Sequence, residues 1–220
     1  MVHLDFLTFN AFQEHCHIVW DESKSCAVVD PGNCSDAEFV ELISIIKRQG
    51  LKPSCIMLTH GHFDHVLGVA SLAGHFGNLP VYMHPDDKKT LENNIHFCRN
   101  FNVPLPEPFE TTDIKEGDVI HVGGLTFEVI ETPGHTPGGV CYLERQEKVL
   151  FSGDTLFAGA IGRTDHPGGD YDRIMESIFT KLLHLEGDIK VIPGHGPTTD
   201  IATERMTNPF LMPFNEPYEE

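Results

Sequence analysis

Basic residues are scarce in this chain. It has 15 Lys and Arg against 33 Asp and Glu, a formal net charge of −18. An acidic surface of that size repels phosphate backbones and anionic headgroups, so neither nucleic acid nor a charged membrane is an expected partner. Long apolar runs are also missing. No stretch approaches the roughly 18 apolar residues of a membrane span. Met1 to Phe6 lack the basic region and apolar core of a secretory signal, which makes the cytoplasm the expected compartment. Nor is there a Cys-x-x-Cys pair. The cysteines (Cys16, Cys26, Cys34, Cys55, Cys98 and Cys141) are scattered, mostly through apolar segments where a reduced thiol behaves as a small hydrophobe. Free thiols in a reducing compartment are expected rather than disulfides. A Gly-x-Ser-x-Gly elbow is absent too, and with it the usual serine-nucleophile geometry.

What is present is an ordinary globular composition, 40% hydrophobic and 22% charged over 220 residues, long enough for a substantial core. Two strands are expected near Val2–Phe9 and His17–Trp20, with a third at Cys26–Val29 ended by Asp30-Pro31-Gly32. Ser35 and Asp36 supply cap chemistry for an amphipathic helix closing at Gly50. A strand at Cys55–Leu58, a helix from Val66 to Phe76, a short strand at Val81–Met83 and a helical patch near Pro85 follow. Phe101 to Phe109 is Pro-rich and reads as a loop. The second half repeats the order: strands at Val119–His121, Leu125–Ile130, Val140–Leu143 and Val149–Phe151, a helix over Asp170–Leu183, and a strand at Ile189–Ile192. The halves, about 1–110 and 111–207, share no detectable repeat and no linker divides them, so one domain over 1–207 is expected. The acidic, Pro-containing stretch 208–220 reads as a loosely ordered tail.

The densest chemistry lies at Thr59-His60-Gly61-His62-Phe63-Asp64-His65, directly after an apolar strand. Such groups cannot be buried at a strand end without partners, and imidazole nitrogen with carboxylate oxygen is a donor set for zinc or iron. The plain alternative is an exposed polar turn in a chain holding 14 His. Three further strands end in the same way: at His135 in Thr132-Pro133-Gly134-His135, at Asp154 in Ser152-Gly153-Asp154, and at His195 in Pro193-Gly194-His195-Gly196. Each residue follows a glycine, which permits close backbone approach to a site, and loops at strand ends are where α/β proteins place functional groups.

His-x-His-x-Asp-His followed by Pro-Gly-His, Ser-Gly-Asp and Pro-Gly-His-Gly, in that order, resembles the signature of the metallo-β-lactamase superfamily, and within it the glyoxalase II-like hydrolases. The likeness runs from Val29-Asp30-Pro31-Gly32 to Asn208-Pro209-Phe210. It implies a four-layer αββα sandwich of two mixed sheets flanked by helices, with metals at one edge. It further implies two divalent ions, zinc with iron or manganese as alternatives, one held by His60, His62 and His135, the other by Asp64, His65 and His195, with Asp154 bridging. In that scheme the nucleophile is a metal-bound hydroxide attacking a thioester such as S-lactoylglutathione, with Asp64 and Asp154 in the catalytic set. Asp30 is expected to orient a ligand histidine, or else merely to form the turn. Arg163 either pairs with a substrate carboxylate or bridges to Asp165; His166 and Phe63 are candidate pocket walls.

Two departures stand out. Only 25 residues follow His195, so the helical C-terminal domain that supplies glutathione contacts in full-length glyoxalase II is not expected here. His15 also stands where related sequences often carry Asn. A persulfide dioxygenase of the same superfamily, holding one iron by two His and one Asp, is the competing enzyme class; it does not need the second set of ligands. A non-catalytic metal-binding module would leave the open site unused, and β-lactam hydrolysis fits poorly with a chain lacking an export signal.

Overall fold

Cys26-Ala27-Val28-Val29 is apolar at every position, and all four side chains are buried. Successive strand residues face opposite ways, so such a strand needs a core on each side. Cys26 and Val28 pack into one hydrophobic cluster, and Ala27 and Val29 into another. In the second half, Val140 and Tyr142 join that second cluster while Cys141 and Leu143 join a third. Three cores in series require four layers.

The computed structural model describes residues 1–212; residues 213–220, most of the expected tail, lie outside the described residues. In chain order the elements are β1 (His3–Phe9), β2 (Glu14–Trp20), β3 (Ser25–Val29), α1 (Asp36–Arg48), β4 (Lys52–Met57), α2 (Phe63–Val66), α3 (Val69–His75), β5 (Val81–Met83), α4 (Lys88–Phe101), β6 (Thr112–Asp113), β7 (Val119–Val122), β8 (Leu125–Glu131), β9 (Val140–Glu144), β10 (Val149–Gly153), β11 (Leu156–Phe157), β12 (Ala160–Ile161), α5 (Tyr171–Ser177), β13 (Lys190–Pro193), β14 (Thr199–Asp200) and α6 (Ile201–Thr207). The first six strands form one sheet in sequence order, antiparallel from β1 to β3 and parallel from β3 to β6. The other large sheet runs β14-β13-β10-β9-β8-β7, with β10 and β13 parallel and the other pairs antiparallel. Helices α1 and α3 cover the outer face of the first sheet, and α5 and α6 that of the second. This is the expected four-layer αββα sandwich. Between the sheets the Tyr142 hydroxyl donates to Leu58 O at 2.7 Å, a buried tie one residue before the histidine-rich loop.

Helix α1 begins as its sequence suggests. The Ser35 hydroxyl accepts the Glu38 N–H, and the Glu38 carboxylate receives the Asn10 and Cys34 N–H groups. The helix expected over Val66–Phe76 is instead two pieces. Gly68 N–H donates to Pro31 O rather than continuing α2, and the Asn33 side chain fills the space a Cβ there would occupy. The helix expected over Asp170–Leu183 is capped by Asp170 and changes to a wider π winding at Ile178–Leu182. Short pieces such as β6, β11, β12 and β14 went unforeseen, since two residues carry no periodicity. Within the expected tail, Asn208 and Leu211 are buried, and Asn208 Nδ2 donates to Ala160 O. All cysteines are free, and no helix among the described residues is long and apolar enough to cross a membrane.

One buried group makes stability depend on pH. His17 on β2 donates through Nε2 to Pro193 O at 3.1 Å, while its Nδ1 has no partner. Burial lowers its pKa to about 3. The unfolded chain, with an ordinary value near 6.5, therefore takes up this proton first, and stability is lost as pH falls from about 6.5 towards 3. His17→Gln keeps a donor for Pro193 without the titration. In urea unfolding with chelator present, the wild type should lose about 1.4 kcal/mol per pH unit more than the variant between about pH 5.5 and 4. Equal slopes would contradict this.

Candidate metal centre

All the sequence-predicted ligand positions lie just beyond the carboxyl ends of strands at one edge of the sandwich. Asp30 follows β3, the histidine-rich loop follows β4, His135 follows β8, Asp154 closes the end of β10, and His195 follows β13. Two of the preceding glycines are required by close approach. A Cβ on Gly153, at φ +47°, would come within 2.3 Å of the Thr59 hydroxyl oxygen, and one on Gly194 within 2.6 Å of Asp154 Oδ1.

Four of the histidines, His60, His65, His135 and His195, share one arrangement, an outer nitrogen fixed by an oxygen acceptor and an inner nitrogen left bare. Thr59 Oγ1–H donates to Asp30 Oδ2 at 2.6 Å, so Oγ1 accepts His60 Nδ1–H at 3.0 Å. His60 Nε2 is then buried without any partner. His65 Nδ1 donates to Asp30 Oδ2 at 3.1 Å, His135 Nδ1 to Arg163 O at 2.8 Å, and His195 Nδ1 to Phe12 O at 3.1 Å. The inner nitrogens converge: His62 Nδ1 lies 2.9 Å from His135 Nε2, and His65 Nε2 lies 3.2 Å from His195 Nε2. Lone pairs this close repel one another unless a proton or a cation lies between them.

Two triads result. The ligand atoms of His60, His62 and His135 lie within 4.8 Å of one another, as do those of Asp64, His65 and His195. Asp154 faces both. Its Oδ2 is 3.5 Å from His135 Nε2 and 3.6 Å from His195 Nε2, while Oδ1 is 3.5 Å from His65 Nε2 and otherwise buried without a hydrogen bond. Asp30, His60 and His65 also lie close enough to hold an ion. However, the Asp30 oxygens are already committed to Thr59 N–H at 2.8 Å, the Thr59 hydroxyl and His65, which makes Asp30 a holder of the loop.

The triads differ electrostatically. Burial and the neighbouring imidazoles push His60 and His62 well below the ordinary histidine value, and His135 falls too, mainly through burial. Burial alone would also lower His65, but the Asp154, Asp64 and Asp30 carboxylates outweigh it and hold that group well above its ordinary value. His195 rises in the same way, with Asp64 the main counterweight to burial. Asp64 is held far below the usual carboxylate range despite its burial, chiefly by His65 and His195. Bare imidazole nitrogens with buried carboxylate oxygens are a donor set for divalent cations, and a cation among them takes the place of those protons. The residues fit such ions.

Of the candidate pocket residues, Phe63 is buried at the cavity edge, and His166 stands 4.9 Å from the His135 ring and 4.8 Å from the His62 ring. The Arg163 guanidinium is bound to Asp165 at 2.8 and 3.1 Å, so of its two expected roles the structure has the bridge. Its carbonyl, which no sequence pattern marks, fixes His135. His15 likewise contributes backbone, its N–H donating to Gly194 O at 2.8 Å. Two carboxylates were missed. Asp87 receives the N–H groups of Gly61 and Gly138 and the hydroxyls of Thr90 and Thr136, tying the loops of His60, His62 and His135 together. Glu14 is fully buried with neither oxygen bonded, and burial pushes its pKa far up. In sequence Asp87 reads only as helix-start chemistry and Glu14 as a turn residue.

Residues 9–198 match the metallo-beta-lactamase superfamily. The chain is 39% identical to the hydroxyacylglutathione hydrolase GloC of Haemophilus influenzae, over 96% of this chain and 98% of that protein. Among solved structures it resembles the B3 metallo-beta-lactamase BLEG-1, with a TM-score of 0.86 and 37% identity over 95% of this chain and 99% of that one. It also resembles TTHA1623 in a di-iron-bound form, with a TM-score of 0.82 and 37% identity over 94% of this chain and 100% of that one.

The position of Asp30 predicts a stability effect separable from metal. Asp30→Ala orphans Thr59 N–H, Thr59 Oγ1 and His65 Nδ1 in the interior, and should lower unfolding stability by about 3 kcal/mol in the presence of chelator. A loss under about 1 kcal/mol in urea unfolding would show that these hydrogen bonds do not hold the loop.

Proposed function

The chain belongs to the metallo-beta-lactamase superfamily, and from that premise we propose that it is a dinuclear metal-dependent thioester hydrolase acting on glutathione thioesters. The observation that carries this reading is the pair of triads with a shared carboxylate. His60, His62 and His135 would hold one ion, Asp64, His65 and His195 the other, and Asp154, with an oxygen towards each, would bridge them. Bound divalent ions would polarise the acyl carbonyl and bring the pKa of a water towards neutrality. Zinc is the first candidate, with iron or manganese accepted by the same donors; the di-iron form of TTHA1623 supports iron as an alternative.

The chain's own residues position rather than attack. Asp30, through Thr59 and His65, holds the loop of the first ligands, and the Arg163 and Phe12 carbonyls fix the tautomers of His135 and His195. The net reaction joins the oxygen of water to the acyl carbon and breaks the C–S bond, releasing a carboxylate, a proton and a thiol. No cysteine lines the cavity, and burial raises the Cys26 and Cys55 thiols to about 12 and Cys141 to about 11, far from a reactive thiolate. The hydroxyacylglutathione hydrolase of H. influenzae supports the substrate class. Six unpaired cysteines support a reducing compartment such as the cytoplasm. A single-iron dioxygenase would have no use for the second triad.

Chelation should abolish cleavage of S-lactoylglutathione, and zinc, iron or manganese should restore it to differing degrees. Asp154→Ala should lower bound metal below two ions per chain after dialysis; full stoichiometry would argue against a bridge. Turnover should be the same with and without oxygen. Activity that requires oxygen, or that never appears with any metal, sinks the hydrolase reading.

A further inference from the structure

The cavity over the triads, about 370 Å³, has two unlike walls. One is built from four phenylalanines: Phe12 in the turn between β1 and β2, Phe63 at the start of α2, and Phe97 and Phe101 near the end of α4. Phe12 meets Phe63 edge-on at 4.9 Å and Phe101 at 5.1 Å. Phe63 stacks nearly parallel to Phe97 and Phe101 at 6.2 and 6.1 Å. This wall borders Asp64, the next residue after Phe63, and His195, which donates to Phe12 O. The other wall, beside His135, is His166 and Arg163, with the His62 ring between the two, 4.8 Å from that of His166 and 6.0 Å from that of Phe97.

Phe101 is 54% exposed, and Phe12 and Phe97 are half-buried. Three separate segments thus bring aromatic surface to the mouth of a polar centre and leave part of it facing water, where covering it with an apolar group is favourable. Resting on the thioester reading above, we propose that the substrate's acyl group is bulky and apolar, with an aromatic acyl group the best fit, seated against this wall. Glutathione itself cannot take that place. Its carboxylates and ammonium would be desolvated against four rings with no charged partner and only the Asn100 amide among them, so the carrier lies towards His166 and Arg163 and the acyl group is left for the rings. Arg163 is already held by Asp165 through two hydrogen bonds, so the polar wall grips the carrier weakly and discrimination falls to the acyl side. A lactoyl group, small and hydroxylated, covers little of the wall.

The test compares kcat/KM of the metal-loaded full-length enzyme for S-phenylacetylglutathione and S-D-lactoylglutathione, which share their carrier. A preference of about tenfold or more for the phenylacetyl ester is expected, mainly in KM. Phe97→Ala and Phe101→Ala should each shrink that ratio several-fold by raising KM for the phenylacetyl ester, and Phe97→Leu should restore part of it. Equal or better turnover of the lactoyl ester, or an unchanged ratio in both alanine variants, overturns the acyl-group assignment while leaving a thioester hydrolase in place. Cleavage of neither ester overturns the hydrolase reading and this inference with it.

Discussion

A single buried carboxylate, Asp30, sets the geometry on which the metal centre depends. It ends β3 with φ at 49°, a conformation that Asp tolerates better than most residues. From there it reaches across to the strand end beside it, where its oxygens take a backbone N–H, a hydroxyl and an imidazole N–H. Through Thr59 the same carboxylate fixes His60, so two histidines of different triads share one support. Asp87 acts alike on the other side, gathering the Gly61 and Gly138 amides. Both groups are removed from water, where a hydrogen bond to a charge is strong and an unmade one is expensive. Rotation of either loop would break several such bonds at once.

The two triads meet at Asp154 but do not present the same field. One is three imidazoles kept neutral by burial and by each other; the other places two imidazoles against carboxylates that stabilise their positive charge. A cation in the first relies on nitrogen lone pairs alone, while one in the second meets anionic oxygen directly. The cavity does not divide in the same way, since its aromatic wall meets His62 of the all-histidine triad as well as Asp64 and His195 of the other.

The residues themselves pointed to two β-then-α halves around one core, and the likeness of the motif set supplied the four layers; continuous apolar strands such as Cys26–Val29 and Val140–Leu143, covered on both faces, are how the folded chain realises them. The candidate ligand positions were legible because His60, His62, Asp64 and His65 crowd one turn after an apolar strand, and His135, Asp154 and His195 each follow Gly after another. What escaped was of two kinds. Backbone groups, among them the Arg163 and Phe12 carbonyls and the His15 N–H, have no residue signature, so their roles exist only once the chain is folded. Isolated acids such as Glu14 and Asp87 look like any surface carboxylate until burial separates them from the rest. The broken helix after His65 belongs to the second kind as well, since Asn33 and Pro31, far back in the chain, cause it.

The turn between the first two strands is fastened to both ends of this chemistry. Asn10 Nδ2 donates to the carbonyls of Gly32 and Asp64, Phe12 O receives His195, and His15 N–H meets Gly194 O. Residues near the start of the chain are thus joined to a ligand 183 positions later. Closing so large a loop gives up chain entropy before any contact repays it, and β13, which carries His195 into place, pairs in parallel with β10 across a long connection. His60, His62 and His135 can be brought together by the first two-thirds of the sequence, but the other triad cannot exist until β13 has docked. The all-histidine pocket thus draws its side chains from before β9, whereas the carboxylate-bearing one is closed only by the loop after β13, at the far end of the chain.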